Sequence, residues 1–362
     1  MNKLRSLTVL RAIAATTVIV FHILVNTAHT FGQFGVDIFF VLSGFVIALV
    51  LDSRELSVGR FLADRIARIV PLYWLLTCCV FAGTLVAPAL FNSTTADFGN
   101  LLRSLFFVPY RKESGELFPM LFVGWTLNYE MMFYLVAALS LVLMRRYRLL
   151  FAAALLAAIF CAARAFNAGD ALSAFYSSQR IFEFPLGFIA WRLWRQGFRL
   201  PPALAAGVAV LAYACMAYVD WNAIADFPLL CFGIPAFLMV MAALSLEASL
   251  GNGPLTRGFV FVGDASYAIY LSHPYCVEAA RRFLPKMVDG FDATAPLGAA
   301  FIVAAAIAVG GAMYRFVDAP LHAQARTALR RWLKRPARAS AQAAIAGSEA
   351  PQHNGPLEQK AH

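Results

Sequence analysis

Ten stretches of this chain, at about 7–27, 34–52, 70–91, 121–144, 148–166, 175–195, 202–219, 226–246, 259–284 and 296–317, are apolar for long enough to cross a bilayer. Its hydrocarbon is roughly 30 Å thick. Within it, each segment must satisfy its own backbone N–H and C=O groups, and runs of this length do so as helices, whereas a barrel uses strands about half as long. The chain therefore reads as all-α, a polytopic membrane helical bundle of about ten transmembrane helices. Composition agrees, since 61% of the residues are hydrophobic and only 14% are charged, against about 25% charged in soluble domains. An even number of crossings puts both termini on one side. Lys3, Arg5, the 54–68 segment, the 145–148 cluster, Arg192 to Arg199, Arg257 and the tail hold most of the 30 Lys and Arg, which makes that side cytoplasmic.

The formal net charge of +10 would suggest a nucleic acid as partner in a soluble chain. Here the bases sit between apolar runs, where they orient the chain and meet membrane lipid, and no nucleic-acid partner is expected. The six cysteines, Cys78, Cys79, Cys161, Cys215, Cys231 and Cys276, have no ligand-like spacing. They read as small core hydrophobes, neither a disulfide framework nor a metal site. The first apolar run is longer than a signal h-region and lacks a small-residue exit, so it reads as a retained span.

Residues 53–69 mix bases with Phe61, Leu62, Ile66 and Ile69 at helical spacing, as an interfacial helix does. Residues 92–120 form the longest outer loop, with Leu105 to Val108 dipping back toward the interface. Two units result: a transmembrane domain over 1–320, and a basic then polar cytoplasmic tail over 321–362, expected to lack order from about Pro336.

Arg11 and His22 share the first run. An eleven-residue helical step returns to within roughly 20° of the same face and rises about 16 Å, so both look into one interior. Further polar groups recur at similar depth: Asp37; Trp125, Asn128 and Glu130; Arg180 and Glu183; Tyr270 and His273. Charges without partners in hydrocarbon cost several kcal/mol each, so these groups are expected to face one another across a polar cavity. Plainer readings stand beside this one. Asp37 accepting a bond at a helix start, Arg180 and Glu183 forming an i, i+3 pair, and Arg65 and Arg68 acting as orienting charges all fit the sequence.

An imidazole held by a carboxylate takes a proton from a hydroxyl. Cations at the inner mouth hold phosphates. A long anionic donor with a reactive end, as acyl coenzyme A is, spans the distance from Arg11 to His22.

Leu10-Arg-Ala-Ile-Ala-Ala15 with Phe21-His22, followed by Gly35-Val-Asp-Ile-Phe-Phe-Val-Leu-Ser-Gly-Phe45, resembles the opening of the acyltransferase-3 family of bacterial integral-membrane O-acyltransferases. In family order follow Phe61 with Arg65, Arg68, Pro71 and Tyr73; Trp125-Thr-Leu-Asn-Tyr-Glu130 with Phe133-Tyr134; and Ser266-Tyr-Ala-Ile-Tyr-Leu-Ser-His273. The chain is most similar to exopolysaccharide acetyltransferases of the succinoglycan and xanthan type. The resemblance implies O-acetylation at the bacterial inner membrane, with an acyl group, acetyl from acetyl-CoA in most members, moving to a hydroxyl of a glycan or lipid-linked saccharide acceptor. A polysaccharide assembly machinery is the implied partner, and no metal is implied. Carried over by position, His22 is general base or acyl relay, helped by Arg11, Glu130 and Asp37. Arg65, Arg68, Arg11 and Ser43 contact the donor, and Trp125, Asn128, Tyr270 and His273 the acceptor. One departure is Asp318-Ala-Pro320, where the family has glutamate.

Two other classes of function remain open on the sequence. Intramembrane Arg, His, Asp and Glu also mark proton-coupled transporters of small solutes or polysaccharide precursors. The second is a scaffold within an export complex, which needs no catalytic residue.

Overall fold

The computed structural model describes residues 3–25, 27–52, 56–91, 94–144, 146–166, 169–224 and 226–348, with Leu90 and 334–348 as backbone alone. Among these the chain is helical, without strands. Its helices are α1 (Arg5–Leu24), α2 (Gly35–Leu51), α3 (Val58–Val86), α4 (Phe98–Leu105), α5 (Trp125–Leu143), α6 (Arg148–Ala165) and α7 (Ala171–Tyr176). They continue with α8 (Glu183–Arg195), α9 (Pro202–Trp221), α10 (Ile234–Ser245), α11 (Pro254–Met287), α12 (Pro296–Met313) and α13 (Ala319–Ser348).

Each apolar run lies on a helix. Six helices are long and apolar enough to cross a membrane: α1, α3, α5 with its leading turn, α6, α9 and the continuous α12–α13. Two more apolar helices are shorter, Gly35–Leu51 and Leu229–Ser245. The remaining runs fall on the 13-residue α8 and on α11, whose 34 residues start at Pro254 and include charged ends and two interior prolines, Pro274 and Pro285.

Close helix contacts organise the bundle. A Cβ on Gly44 of α2 would lie 2.1 Å from the Phe184 carbonyl oxygen of α8, and one on Gly187 would lie 2.3 Å from that of Val41. Only glycine lets these backbones approach so closely. The same device joins α1 to α11, where a Cβ on Gly263 would meet the Thr8 carbonyl at 1.9 Å. From that crossing the two helices run side by side. Ala15, Ile19 and Ile23 pack with Ala265, Ile269 and Val277 and, from α12, Ile302 and Ala306.

The start of α1 is capped from a distance, because the Glu247 carboxylate accepts the amides of Arg5 at 3.0 Å and Ser6 at 2.7 Å. Asp220 serves the loop before α2 in the same way, accepting the amides of Gly32 at 2.7 Å and Gln33 at 3.0 Å. These acceptors satisfy donors that the helices and turns leave unpaired.

Two sequence expectations change. The interfacial segment is no separate helix: from Val58 it is the first part of α3, continuous through Pro71, and 53–55 lie outside the described residues. The cysteines are not core residues, since Cys78, Cys79, Cys161 and Cys215 are exposed on the outer faces of helices and Cys231 and Cys276 are half-buried. The tail is helical in its backbone as far as Ser348, and 349–362 lie outside the described residues. Where side chains are described, α13 lies along the start of α3, with Asp64 bonded to Arg326 at 3.0 Å and to Arg330 at 2.7 Å.

Candidate active site

The pairing of α1 with α11 sets the two focal residues. Arg11 donates to the Ser266 hydroxyl at 2.8 Å and to the Gly263 carbonyl at 3.3 Å. Farther along, His22 Nδ1 lies 3.0 Å from His273 Nε2. Arg11 and His22 thus share a helix face toward one neighbour, as their spacing predicts, yet they open into different cavities.

The first cavity, about 140 Å³, is lined by Arg11, Ser43, Arg65, Arg68, Glu130 and Tyr270, with Phe39, Thr126, Tyr134, Ser266 and Tyr267 among its other walls. The Arg68 guanidinium bonds Asp318 at 2.9 Å. Arg65 lies over the Tyr134 ring at 6.0 Å, and its buried Nε has no hydrogen-bond partner. Glu130 accepts from the Tyr134 hydroxyl and, at 3.4 Å, from Ser43. Among the described residues no carboxylate pairs with Arg11 or Arg65. Such a pocket suits an anion.

The second cavity, about 420 Å³, is lined by His22, Phe122, Pro274, Tyr275, Arg281 and Arg282, with Val80, Phe91, Thr94 and Glu278 nearby. Arg282 pairs with Glu278 at 3.1 Å, and Arg281 donates to the Ile23 carbonyl. No described side chain lines both cavities. At their boundary the Tyr270 hydroxyl donates to the Val123 carbonyl at 3.1 Å and meets the Thr126 hydroxyl at 3.1 Å.

The single shared cavity expected from sequence is therefore three separate groupings. Asp37 does not reach His22. It is fully buried and paired with Arg180 at 3.0 Å, with Glu183, also fully buried, beside them. Glu130 does not reach His22 either; it belongs to the first cavity. The neighbour of His22 is an imidazole. Of the four residues assigned to the acceptor, only Tyr270 lines either of these two cavities. Trp125 lies under the Arg180 guanidinium at 5.7 Å, Asn128 is 2% exposed with an unbonded Oδ1, and His273 is wholly buried behind His22.

Ser266, Tyr134 and Tyr267 were not singled out from the sequence as site residues, although one signal was available. Ser266 and His273 are seven residues apart on α11, which returns to within roughly 20° of one face, the same relation that ties Arg11 to His22. Asp318, shorter than the family's glutamate, is 2% exposed and holds Arg68.

This geometry, of a guanidinium-lined pocket beside a histidine at a second opening, accompanies a family match. The model described as an acyltransferase domain matches residues 4–315, and the chain belongs to the acyltransferase-3 family. It is a membrane protein and an acyltransferase. Among its relatives, the exopolysaccharide production protein ExoZ of Rhizobium meliloti is 38% identical over 307 residues, covering 83% of this chain and 93% of ExoZ. The acyltransferase MdmB of Streptomyces mycarofaciens is 28% identical over 365 residues, covering 88% and 91%. No solved structure matches the chain.

Proposed function

We propose that the chain is an O-acyltransferase of the bacterial inner membrane that moves an acyl group, acetyl in the first instance, from acyl coenzyme A to a hydroxyl of a cell-surface or exopolysaccharide sugar. In this reading ten helices cross the bilayer, α1, α2, α3, α5, α6, α8, α9, α10, α11 and α12, and both termini are cytoplasmic. The first cavity then opens to the cytoplasm and the second outward.

The observation that carries the donor assignment is the charge of the first cavity. Arg11, Arg65 and Arg68 line it together with one carboxylate, Glu130, only Arg68 has an ion pair among the described residues, to Asp318, and a buried Arg65 nitrogen lacks a partner. Phosphates of a coenzyme fit that excess of guanidinium. The pantetheine arm extends past Arg11 and the Tyr270–Thr126 boundary toward His22.

His22 acts as general base. It takes the proton of the sugar hydroxyl as the oxygen bonds to the thioester carbonyl carbon, the carbon–sulfur bond breaks, and the leaving thiolate recovers the proton from the imidazolium. A transient acyl-histidine gives the same products. Arg11, Glu130 and Ser43 serve the donor pocket, and Asp37 holds Arg180 and α8 in place. The similarity to ExoZ, named for exopolysaccharide production, supports a glycan as acceptor.

The test is proton NMR of the surface polysaccharide from a deletion strain complemented with wild type or His22→Ala, alongside consumption of labelled acetyl-CoA by membranes. An O-acyl signal restored only by wild type is expected. Equal acylation by His22→Ala protein at normal abundance removes His22 from the chemistry.

A further inference from the structure

The two imidazoles that meet between α1 and α11 carry a consequence beyond proximity. Their ring centroids are 4.8 Å apart at an interplanar angle of 69°, so they meet edge to face through nitrogens and do not stack. Both donor and acceptor at each nitrogen follow from what surrounds it.

His273 Nδ1 lies 2.8 Å from the Tyr270 carbonyl and 3.2 Å from that of Ile269. Carbonyl oxygens only accept, so this nitrogen carries the hydrogen. The Tyr270 carbonyl is available because the residue four positions on is Pro274, which has no amide to close the helical bond. A second proton on His273 would put an unpaired cation at a site with 0% exposure, where no carboxylate bonds it among the described residues. His273 is therefore neutral, and its Nε2 presents a lone pair.

That lone pair faces His22 Nδ1 at 3.0 Å. The Val18 carbonyl, 3.0 Å from the same nitrogen, is also an acceptor. Two acceptors converge on His22 Nδ1, which must carry its hydrogen. The lone pair of His22 is left on Nε2, the nitrogen with no protein partner among the described residues, on a side chain that lines the second cavity.

We infer that His273, backed by the carbonyl that Pro274 frees, is a positioning residue that fixes the tautomer and ring orientation of His22 and so presents Nε2 as the proton acceptor of the transfer reaction. This rests on the proposed role of His22 as base. It replaces the expected carboxylate partner with a neutral imidazole. A neutral partner holds the tautomer without tying a second charge to the site, and it shares the hydrogen bond that strengthens as His22 becomes imidazolium.

The test uses full-length protein in lipid nanodiscs with ¹⁵N-labelled histidine, and compares wild type, His22→Ala, His273→Leu, His273→Gln and Pro274→Ala. Glutamine extends an acceptor oxygen to about the position of the histidine Nε2, whereas leucine supplies none. The wild-type spectrum should show His22 protonated at Nδ1. His273→Leu should lose about tenfold to a hundredfold in kcat with KM for both substrates unchanged, and His273→Gln should recover most of it. Pro274→Ala, which returns an amide to the Tyr270 carbonyl, should lower kcat by a smaller factor. A wild-type His22 protonated at Nε2, a His273→Leu enzyme with wild-type kcat, or a glutamine variant as slow as the leucine variant overturns the inference. A fully active His22→Ala enzyme instead overturns the role of His22 as base, which keeps the two failures apart.

Discussion

Asp37 and Glu183 are both fully buried beside one guanidinium, that of Arg180. Only Asp37 is bonded to that guanidinium, and Glu183 forms no ion pair with it. Asp37→Asn therefore leaves Arg180 without its bonded counter-charge and should lose about 3–5 kcal/mol in thermal unfolding, while Glu183→Gln removes no ion pair and should stay within about 1 kcal/mol of wild type. If the first cavity holds the donor as proposed, Arg65→Ala should raise KM for acyl-CoA about tenfold, equivalent to about 1.4 kcal/mol, with kcat kept. Steady-state kinetics on purified membranes distinguish that loss of binding from a loss of chemistry.

The helices carry their own tests. Gly263 and Gly258 stand five residues apart on α11, yet a Cβ on Gly263 would meet the Thr8 backbone at 1.9 Å and one on Gly258 would meet nothing within 4 Å. Gly263→Ala should push α1 from α11 and cost about 1–3 kcal/mol. Gly258→Ala should be neutral or stabilising by up to about 1 kcal/mol. Glu247 caps α1, and although its partial burial works against the charged form, the amides of Ser6 and Arg5 hold its carboxyl below the usual range. A depressed folded value means that the stabilisation is present at neutral pH and is lost as pH falls from the ordinary glutamate range through that lower value. Glu247→Ala should therefore cost about 0.5–1 kcal/mol near pH 7, and melting curves of variant and wild type should converge in acid. Local periodicity made much of this legible. The apolar runs marked the helices proposed to span the membrane but not the polar α13, and the eleven-residue step marked the face of α1 that meets α11. What periodicity could not supply was pairing across the chain: Asp37 with Arg180, 143 positions away, or Glu247 with the start of α1. Such partners are fixed by glycine-permitted crossings, and nothing in either local segment encodes them.

At the scale of the molecule, six helices meet the length and hydropathy of membrane spans, and α6 and α9 bury little of themselves against the protein. Their apolar outer faces, including Leu150 at 69% exposure and Leu211 at 71%, are satisfied by hydrocarbon in a bilayer. Cys78, Cys79 and Cys215 lie on such faces, so an impermeant maleimide should leave them unlabelled in intact membranes and label them after denaturation. The cavities, in turn, have no described side chain in common. On the topology proposed here the layer between them is the insulating part of the protein, and most of the membrane voltage drops across it. An acetyl group crossing that layer is neutral and does no electrical work, so acetyl transfer should not change when the potential is collapsed by an ionophore. A succinyl group carries a negative charge, and crossing the full field is worth about 2.3 kcal/mol per 100 mV. An inside-negative cell would then help to drive such a group outward, and its transfer rate should fall with the voltage.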